Sequence, residues 1–250
     1  KNIIIGTLDP FYKVNGSGLK KLQKHANVLI GILEKECKQI NRQYFINHHL
    51  KRPFIILKWA ESNDGFINNN TKGILKISCD KSIEKTHQWR SEVDGIMIGT
   101  NTVICDNPRL TTRKVKGKNP TRIIIDRKNQ LLNNKWNIMN QEAQTIIFQE
   151  QNNELKSNVK YINYLTKKIK HNSSDSEKLK KIIELTYKEG ICTLLVEGGT
   201  TIIENLISQN LWDEARIFTS KIIIMIQVLL YSFGFMVMFV CYIGNATDAD

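Results

Sequence analysis

Residues 91–113, SEVDGIMIGTNTVICDNPRLTTR, set a buried strand, a glycine-broken turn and an acid–Pro–Arg loop end to end, and this order constrains the fold more than any other part of the chain. Val93, Ile96 and Ile98 read as a strand, and Gly99 lets the backbone turn. Thr100, Asn101 and Thr102 then supply hydroxyl and amide groups that can hold a ligand close to the main chain. Asp106, Asn107 and Pro108 fix a loop that runs on to Leu110 and Arg113. The combination predicts a small-molecule site on an α/β sheet.

A chain of 250 residues with 41% hydrophobic content can bury one substantial core and a smaller unit. The formal charge of +12 would suit nucleic acid or an acidic membrane, but the lysines are scattered among Asn and Ile and form no dense basic run. Nucleic acid is therefore not expected, and an anionic small substrate is the better use of these charges. Cys37, Cys79, Cys105, Cys192 and Cys241 stand alone, with no C-x-x-C pair and no His at zinc-ligand spacing. No metal site is expected in this chain, and isolated cysteines point to a reducing, cytoplasmic compartment. The sequence opens on Lys1 without a signal peptide, as a piece of a longer product would.

Along the chain, residues 1–6 read as the end of a buried strand, 18–25 as a helix, 28–32 as a second strand and 33–45 as a helix with Leu33, Cys37, Ile40 and Tyr44 at helical spacing. Pro53 marks a boundary, and residues 54–60 begin a new core strand that places Ile56, Lys58 and Ala60 on one face. Lys58 has two readings. It is either a snorkelling or edge-strand lysine, or a lysine held in a cleft to meet an anion or a polarised carbonyl. Residues 62–65 form a tight turn, 68–76 a polar loop and 81–91 an amphipathic helix using Ile83 and Trp89 for packing. On that helix His87 reads as a polar or capping group rather than a base.

Residues 121–126, 145–148 and 159–162 are further strands. A helix between 167 and 190 carries the capping box Ser174-x-x-Glu177 and ends at Gly190. The run from Cys192 to Thr201 then repeats strand, glycine turn and helix start. Gly198 and Gly199 let a phosphate or nucleotide approach the backbone, and a helix over 200–208 offers free amides, although a plain αβ connection explains the same pattern. Glu197 sits at the carboxyl end of its strand, where open α/β sheets place ligands.

Two sets of motifs carry a family resemblance. KWA-x-S-x-DG, H-x-WRSEVDGIMIG-x-x-TV-x-x-DNPRLT-x-R, RIIID, LLVEGG and LWDE, over residues 50–220, resemble the reductase domain of the bifunctional riboflavin-biosynthesis deaminase/reductases. GTLDP, VNGSGL, LIGILEKEC and NRQYF, within residues 1–49, resemble the closing part of that family's deaminase domain. The resemblance implies a dihydrofolate-reductase-like mixed sheet with flanking helices, preceded by a partial α/β deaminase domain. It implies NADPH-dependent reduction of the ribosyl group of 5-amino-6-(5-phosphoribosylamino)uracil, a phosphorylated pyrimidine–ribose substrate, to the ribityl form. A homodimer through the reductase domain is implied too. Zinc belongs only to a deaminase part upstream of this chain.

Carried onto this sequence, Ala60, Thr102, Asp106, Gly199, Thr200, Thr201, Ile202, Ile203, Glu204 and Asn205 match the NADP site, and Arg90, Leu110, Arg113 and Glu197 match substrate-lining positions. Lys58 and Glu197 are the expected catalytic groups, and two arginines suit a phosphorylated sugar because a guanidinium grips phosphate through two charge-assisted bonds.

The chain departs from the family at Ile74 and Lys76, where a small polar and an aromatic residue are usual, and at Arg127, often Ser. Beyond Ser220 the pattern is replaced by an apolar run over 222–243 that is long enough to cross a membrane. Nothing upstream prepares for an anchor, so a disrupted ending is expected instead of a membrane segment, with poor solubility and weak turnover. A degenerate or membrane-anchored non-catalytic relative is the alternative.

Overall fold

The computed structural model describes residues 1–11, 13, 14, 16–65, 67, 80–131, 136–151 and 158–220. The polar loop expected over 68–76, with Ile74 and Lys76, lies outside the described residues, as does the apolar run over 222–243.

The chain divides into two compact units, residues 1–54 with 183–192, and residues 55–182 with those from 193 onward. In the first, β1 (Asn2–Ile5) and β2 (Asn27–Ile30) pair in parallel, and α1 (Ser17–Leu22), α2 (Glu34–Ile40) and α3 (Arg42–Leu50) complete the segment. The expected buried strand over 1–6 is corrected here. β1 alternates between exposed and half-buried, with Ile4 64% exposed, because two strands alone cannot cover each other's faces. The expected helix over 33–45 is also two helices. Asn41 leaves helical geometry at φ −101°, ψ 19°, and its Nδ2 donates to the Cys37 carbonyl at 2.9 Å, a local bond that competes with the helical ladder.

The second unit is organised on a seven-stranded sheet. Its strands are β3 (Phe54–Glu61), β4 (Gly95–Gly99), β5 (Thr121–Ile125), β6 (Thr145–Gln149), β7 (Val159–Asn163), β8 (Thr193–Val196) and β9 (Glu214–Thr219), in the order β7-β6-β5-β4-β8-β3-β9. The ladders β3–β9, β4–β5, β4–β8, β5–β6 and β6–β7 are parallel. Strands covered on both faces read as unbroken apolar runs, which is why GIMIG and TRIII gave themselves away. Ile96, Met97, Ile98, Ile123 and Ile124 are all at 0% exposure.

Four helices serve this sheet: α4 (Asp80–Glu92), α5 (Thr100–Asp106), α6 (Asp175–Lys188) and α7 (Thr200–Ser208). At the start of α6 the capping box is formed as the sequence foretells. Ser174 Oγ accepts from the Glu177 amide at 3.2 Å, and Glu177 Oε2 accepts from the Ser174 amide at 3.0 Å.

A half-buried acid, a buried acid and one arginine fix the connections. Asp94 Oδ2 accepts from the Thr193 amide and hydroxyl at 3.0 and 2.9 Å, joining the entries of β4 and β8. Asp126 accepts from the amides of Gln130 and Leu131 at 3.0 and 2.9 Å and shapes the turn after β5. Arg122, at 0% exposure, donates to the carbonyls of Arg109, Ile138, Asn140 and Ala143 and so pins the loop that carries Leu110 to Arg113.

Candidate active site

The order of the sheet creates the site. β4 and β8 are neighbours, but β4 leads through α5 to β5 on one side while β8 leads through α7 to β9 on the other. Where outgoing connections part in this way, a crevice opens at the carboxyl ends of the strands, which is where open α/β sheets bind ligands. A cavity of about 310 Å³ lies there, with Thr102 from α5 and Gly199, Thr201, Ile202 and Asn205 from the β8–α7 connection in its lining.

The two glycines of this crevice, Gly99 and Gly199, are under different constraints. Gly199 has φ +76°, a conformation that other residues adopt at a cost. Gly99 was expected to let the chain turn, yet its φ of −95° and ψ of 168° suit any residue. A Cβ there would approach Ile202 Cδ1 to 3.1 Å, so a side chain at this position needs that end of Ile202 to give way slightly. The turn expected at Thr100 to Thr102 is the first turn of α5, anchored by Thr100 Oγ1, which donates to the Ile125 carbonyl at 2.8 Å.

Beside the crevice, two residues before Gly199, stands Glu197. Its carboxylate is gripped by Arg90 through Nε–Oε1 at 2.8 Å and Nη2–Oε2 at 2.6 Å, with side-chain exposures of only 6% and 12%. Burial opposes the charge on each partner. The pairing outweighs it, holding Glu197 below the ordinary carboxylate range and Arg90 above its usual value. Arg90 Nη1 also donates to the Thr111 carbonyl at 3.2 Å, and Arg113 Nη1 donates to Thr111 Oγ1 at 2.9 Å. Burial, with Arg90 and Arg109 nearby, pushes Arg113 down. Cations crowded in this way gain from an incoming anion.

Lys58 belongs to the same group. β3 is flanked by β8 and β9, so the edge-strand reading of this lysine is corrected. Its Nζ lies 5.6 Å from the centre of the Phe218 ring, and burial lowers its pKa against the partial support of Glu197. A lysine so placed holds its proton less firmly than an exposed one.

The expected site residues therefore fall into groups. Thr102, Gly199, Thr201, Ile202 and Asn205 line the cavity. Thr200 and Glu204 are exposed on α7, Ile203 turns to the core at 5% exposure, and Asp106 ends α5 on the surface. Ala60 sits near the end of β3, in register with Phe218. Lys58, Arg90, Arg113 and Glu197 form the charged cluster, while Leu110, at 2% exposure, packs into the core cluster with Ile98 and Val103. The sequence did not single out Lys128, Gln130, Asp175 or Lys178, which form part of the cavity wall, and Arg127 had been noted only as a departure from the family. Arg127 Nη1 pairs with Asp175 Oδ1 at 2.6 Å, and Lys178 Nζ pairs with Glu150 Oε1 at 2.8 Å. Only the strand order brings these segments to the crevice. Among the described residues, no group of three or more His, Cys, Asp or Glu side chains is gathered as a metal site, and no helix is long and apolar enough to cross a membrane.

A parallel α/β sheet with a ligand crevice at its switch point and a buried carboxylate–guanidinium cluster beside it defines a small-molecule enzyme domain. The chain belongs to the RibD C-terminal domain family, whose model matches residues 53–224. It is 31% identical over 189 residues to the 2,5-diamino-6-ribosylamino-4(3H)-pyrimidinone 5′-phosphate reductase of Archaeoglobus fulgidus, covering 69% of this chain and 82% of that protein. It is 30% identical to the riboflavin biosynthesis protein RibD of Aquifex aeolicus over 87% of this chain, and spans 60% of that protein's length. Among solved structures, the diaminohydroxyphosphoribosylaminopyrimidine deaminase/5-amino-6-(5-phosphoribosylamino)uracil reductase of Thermotoga maritima superposes with a TM-score of 0.74 at 32% identity, covering 90% of this chain and 60% of that one.

Proposed function

We propose that this chain carries the reductase step of riboflavin biosynthesis, reducing the ribosyl group of 5-amino-6-(5-phosphoribosylamino)uracil to the ribityl form with NADPH. The observation that carries the reading is the Glu197–Arg90 pair, ionised and buried beside the glycine-lined crevice. The 310 Å³ cavity falls in the range of small-ligand pockets, and Gly199 lets a ligand approach the main chain at the start of α7. Lys128 adds a cationic group to the wall beside the Arg127–Asp175 and Lys178–Glu150 pairs, which suits a phosphorylated nucleotide. NADPH, when bound, supplies the hydride.

In this reading Arg113 and Arg90 hold the sugar phosphate. Arg90 also fixes Glu197 beside the sugar, where a carboxylate stabilises positive charge as the ring C–O bond opens. Opening of that bond leaves the ring oxygen in need of a proton, which Lys58, its pKa lowered by burial, delivers, and the hydride adds to the sugar carbon left with the positive charge.

Fluorescence titration of NADPH and NADH tests the nucleotide assignment, with tighter binding of NADPH expected and equal or absent binding against it. Arg113→Ala and Arg90→Ala should raise substrate KM far more than cofactor Kd. An unchanged substrate KM removes the phosphate placement.

A further inference from the structure

Two lysines of the second unit are withdrawn from water, and they are met differently. Lys178, at 4% exposure, donates to Glu150 Oε1 at 2.8 Å and to the His171 carbonyl at 2.6 Å. A cation taken out of water ordinarily needs such acceptors to offset its lost hydration. Lys58 is half-buried and has none of them. Among the described residues its Nζ makes no hydrogen bond and no ion pair. The charge of Glu197 reaches it, but both carboxylate oxygens are taken by Arg90 at 2.8 and 2.6 Å. What Lys58 has instead is an aromatic ring. Its Nζ lies 5.6 Å from the centre of Phe218, inside the distance of about 6 Å over which a ring face attracts a cation.

The sheet puts the ring there. β3 and β9 run in parallel with Lys58 opposite Arg216 and Ala60 opposite Phe218, so Lys58 and Phe218 stand diagonally on one face. Phe218 is 8% exposed and stacks on Trp89, with centroids 4.9 Å apart and planes at 20°. Trp89 precedes Arg90 on α4, so the helix that grips Glu197 also braces the ring. Arg216 is engaged elsewhere, its Nε on Glu214 Oε1 at 2.6 Å, its Nη1 3.8 Å from Glu92 Oε2 and its guanidinium 5.1 Å from the centre of Trp89. Burial favours the neutral form of Lys58 and Arg90 does too, against the Glu197 charge. The ring acts on the side of Glu197. Unlike a carboxylate, it attracts the charge without binding the N–H groups one by one, and they stay open to a third party.

We propose that Phe218 is a positioning residue for Lys58, its ring carrying the ammonium where a carboxylate would tie up the N–H groups that the substrate needs. The proposal rests on the reductase reading, in which Lys58 delivers the proton to the ring oxygen of the sugar.

The test uses the full chain. Labelling of Lys58 by acetic anhydride across neutral and alkaline pH, followed by peptide mass spectrometry, reads the charge on Lys58 without turnover. NADPH oxidation with the aminouracil substrate over the same range reads the reaction. Trifluorophenylalanine at position 218 keeps the shape of the ring and cancels its attraction for a cation. An ammonium with less support loses its proton at lower pH, and a proton donor is spent once neutral. The labelling midpoint and the alkaline limb of the kcat profile should therefore both move down by about half to one pH unit, with the melting temperature held. Phe218→Leu should move both the same way and melt lower, because it also loses the stack on Trp89. Phe218→Tyr should leave both at their wild-type positions. If Phe218→Leu does not fold, the fluorinated ring decides the matter. A labelling midpoint that the fluorinated ring leaves unchanged overturns the proposal. A labelling shift with an unmoved alkaline limb overturns Lys58 as the proton donor and the positioning role with it. A labelling shift in a protein whose wild type oxidises no NADPH with that substrate overturns the reductase reading and supports the ring contact.

Discussion

Glu197→Gln keeps the shape of the side chain and removes its charge, leaving Arg90 with a neutral acceptor in a site where the two partners are 12% and 6% exposed. Removing one member of a buried ion pair costs roughly 3–5 kcal/mol, because the remaining charge stays desolvated. At about 2–4 °C per kcal/mol for a chain of this size, the melting temperature should fall by roughly 6–20 °C near neutral pH. The loss should depend on pH in a defined direction. The folded state holds Glu197 below the ordinary carboxylate value of 4.5, so its contribution is complete above that value and is lost as pH falls through the lower folded one. Calorimetry from pH 7 down to 3 should therefore show the gap between wild type and Glu197→Gln closing only on the acid side of 4.5. Replacing both partners by apolar residues, Arg90→Met with Glu197→Leu, should recover much of the stability and none of the activity. A shift of less than about 2 °C at neutral pH, or a gap of constant size, refutes the view that this pair is ionised and energetically coupled.

Arg122→Met leaves four loop carbonyls without their shared donor and should lower the melting temperature by about 6–12 °C, equivalent to roughly 3 kcal/mol; an unchanged melt would mean that the loop does not depend on this guanidinium. Glu150 is held at about 2 against burial by Lys178, Tyr164 and His171, so Glu150→Gln should destabilise at neutral pH, with the difference from wild type shrinking between pH 4.5 and about 2. A difference that grows on acidification contradicts that hub. Gly199→Ala should cost about 1–2 kcal/mol because of its positive φ and should weaken NADPH binding, and an Ala variant as stable as wild type in urea would show that the turn can relax.

Much of the sheet was legible because parallel strands buried on both faces leave long apolar runs, and the helix over 200–208 was read with the limits it has in the structure. The ion pair was not legible as a contact, since Arg90 and Glu197 are 107 positions apart and nothing local to either residue names the other. The break at Asn41 was missed because the apolar spacing of Cys37, Ile40 and Tyr44 continues across it. The roles of Arg127, Lys128, Asp175 and Lys178 were hidden for a topological reason. They follow β5 or begin α6, far in sequence from either glycine turn, and only the strand order brings them together. His87 was read as a polar bystander on an amphipathic helix, and its burial follows from what the helix packs against, not from the residues around it in sequence.

The opening between β4 and β8 is made by the routing of the chain. Two adjacent strands send their helices to opposite sides, and the space between them exists whichever side chains happen to face it. Its existence and its selectivity are therefore separable. Residues such as Arg127 can be exchanged, and a new guest admitted, without the host having to build a new doorway. Closing it would require the chain to change its path. In such an architecture the lining is the part free to vary, and a lineage can change what it recognises while keeping the place where recognition happens.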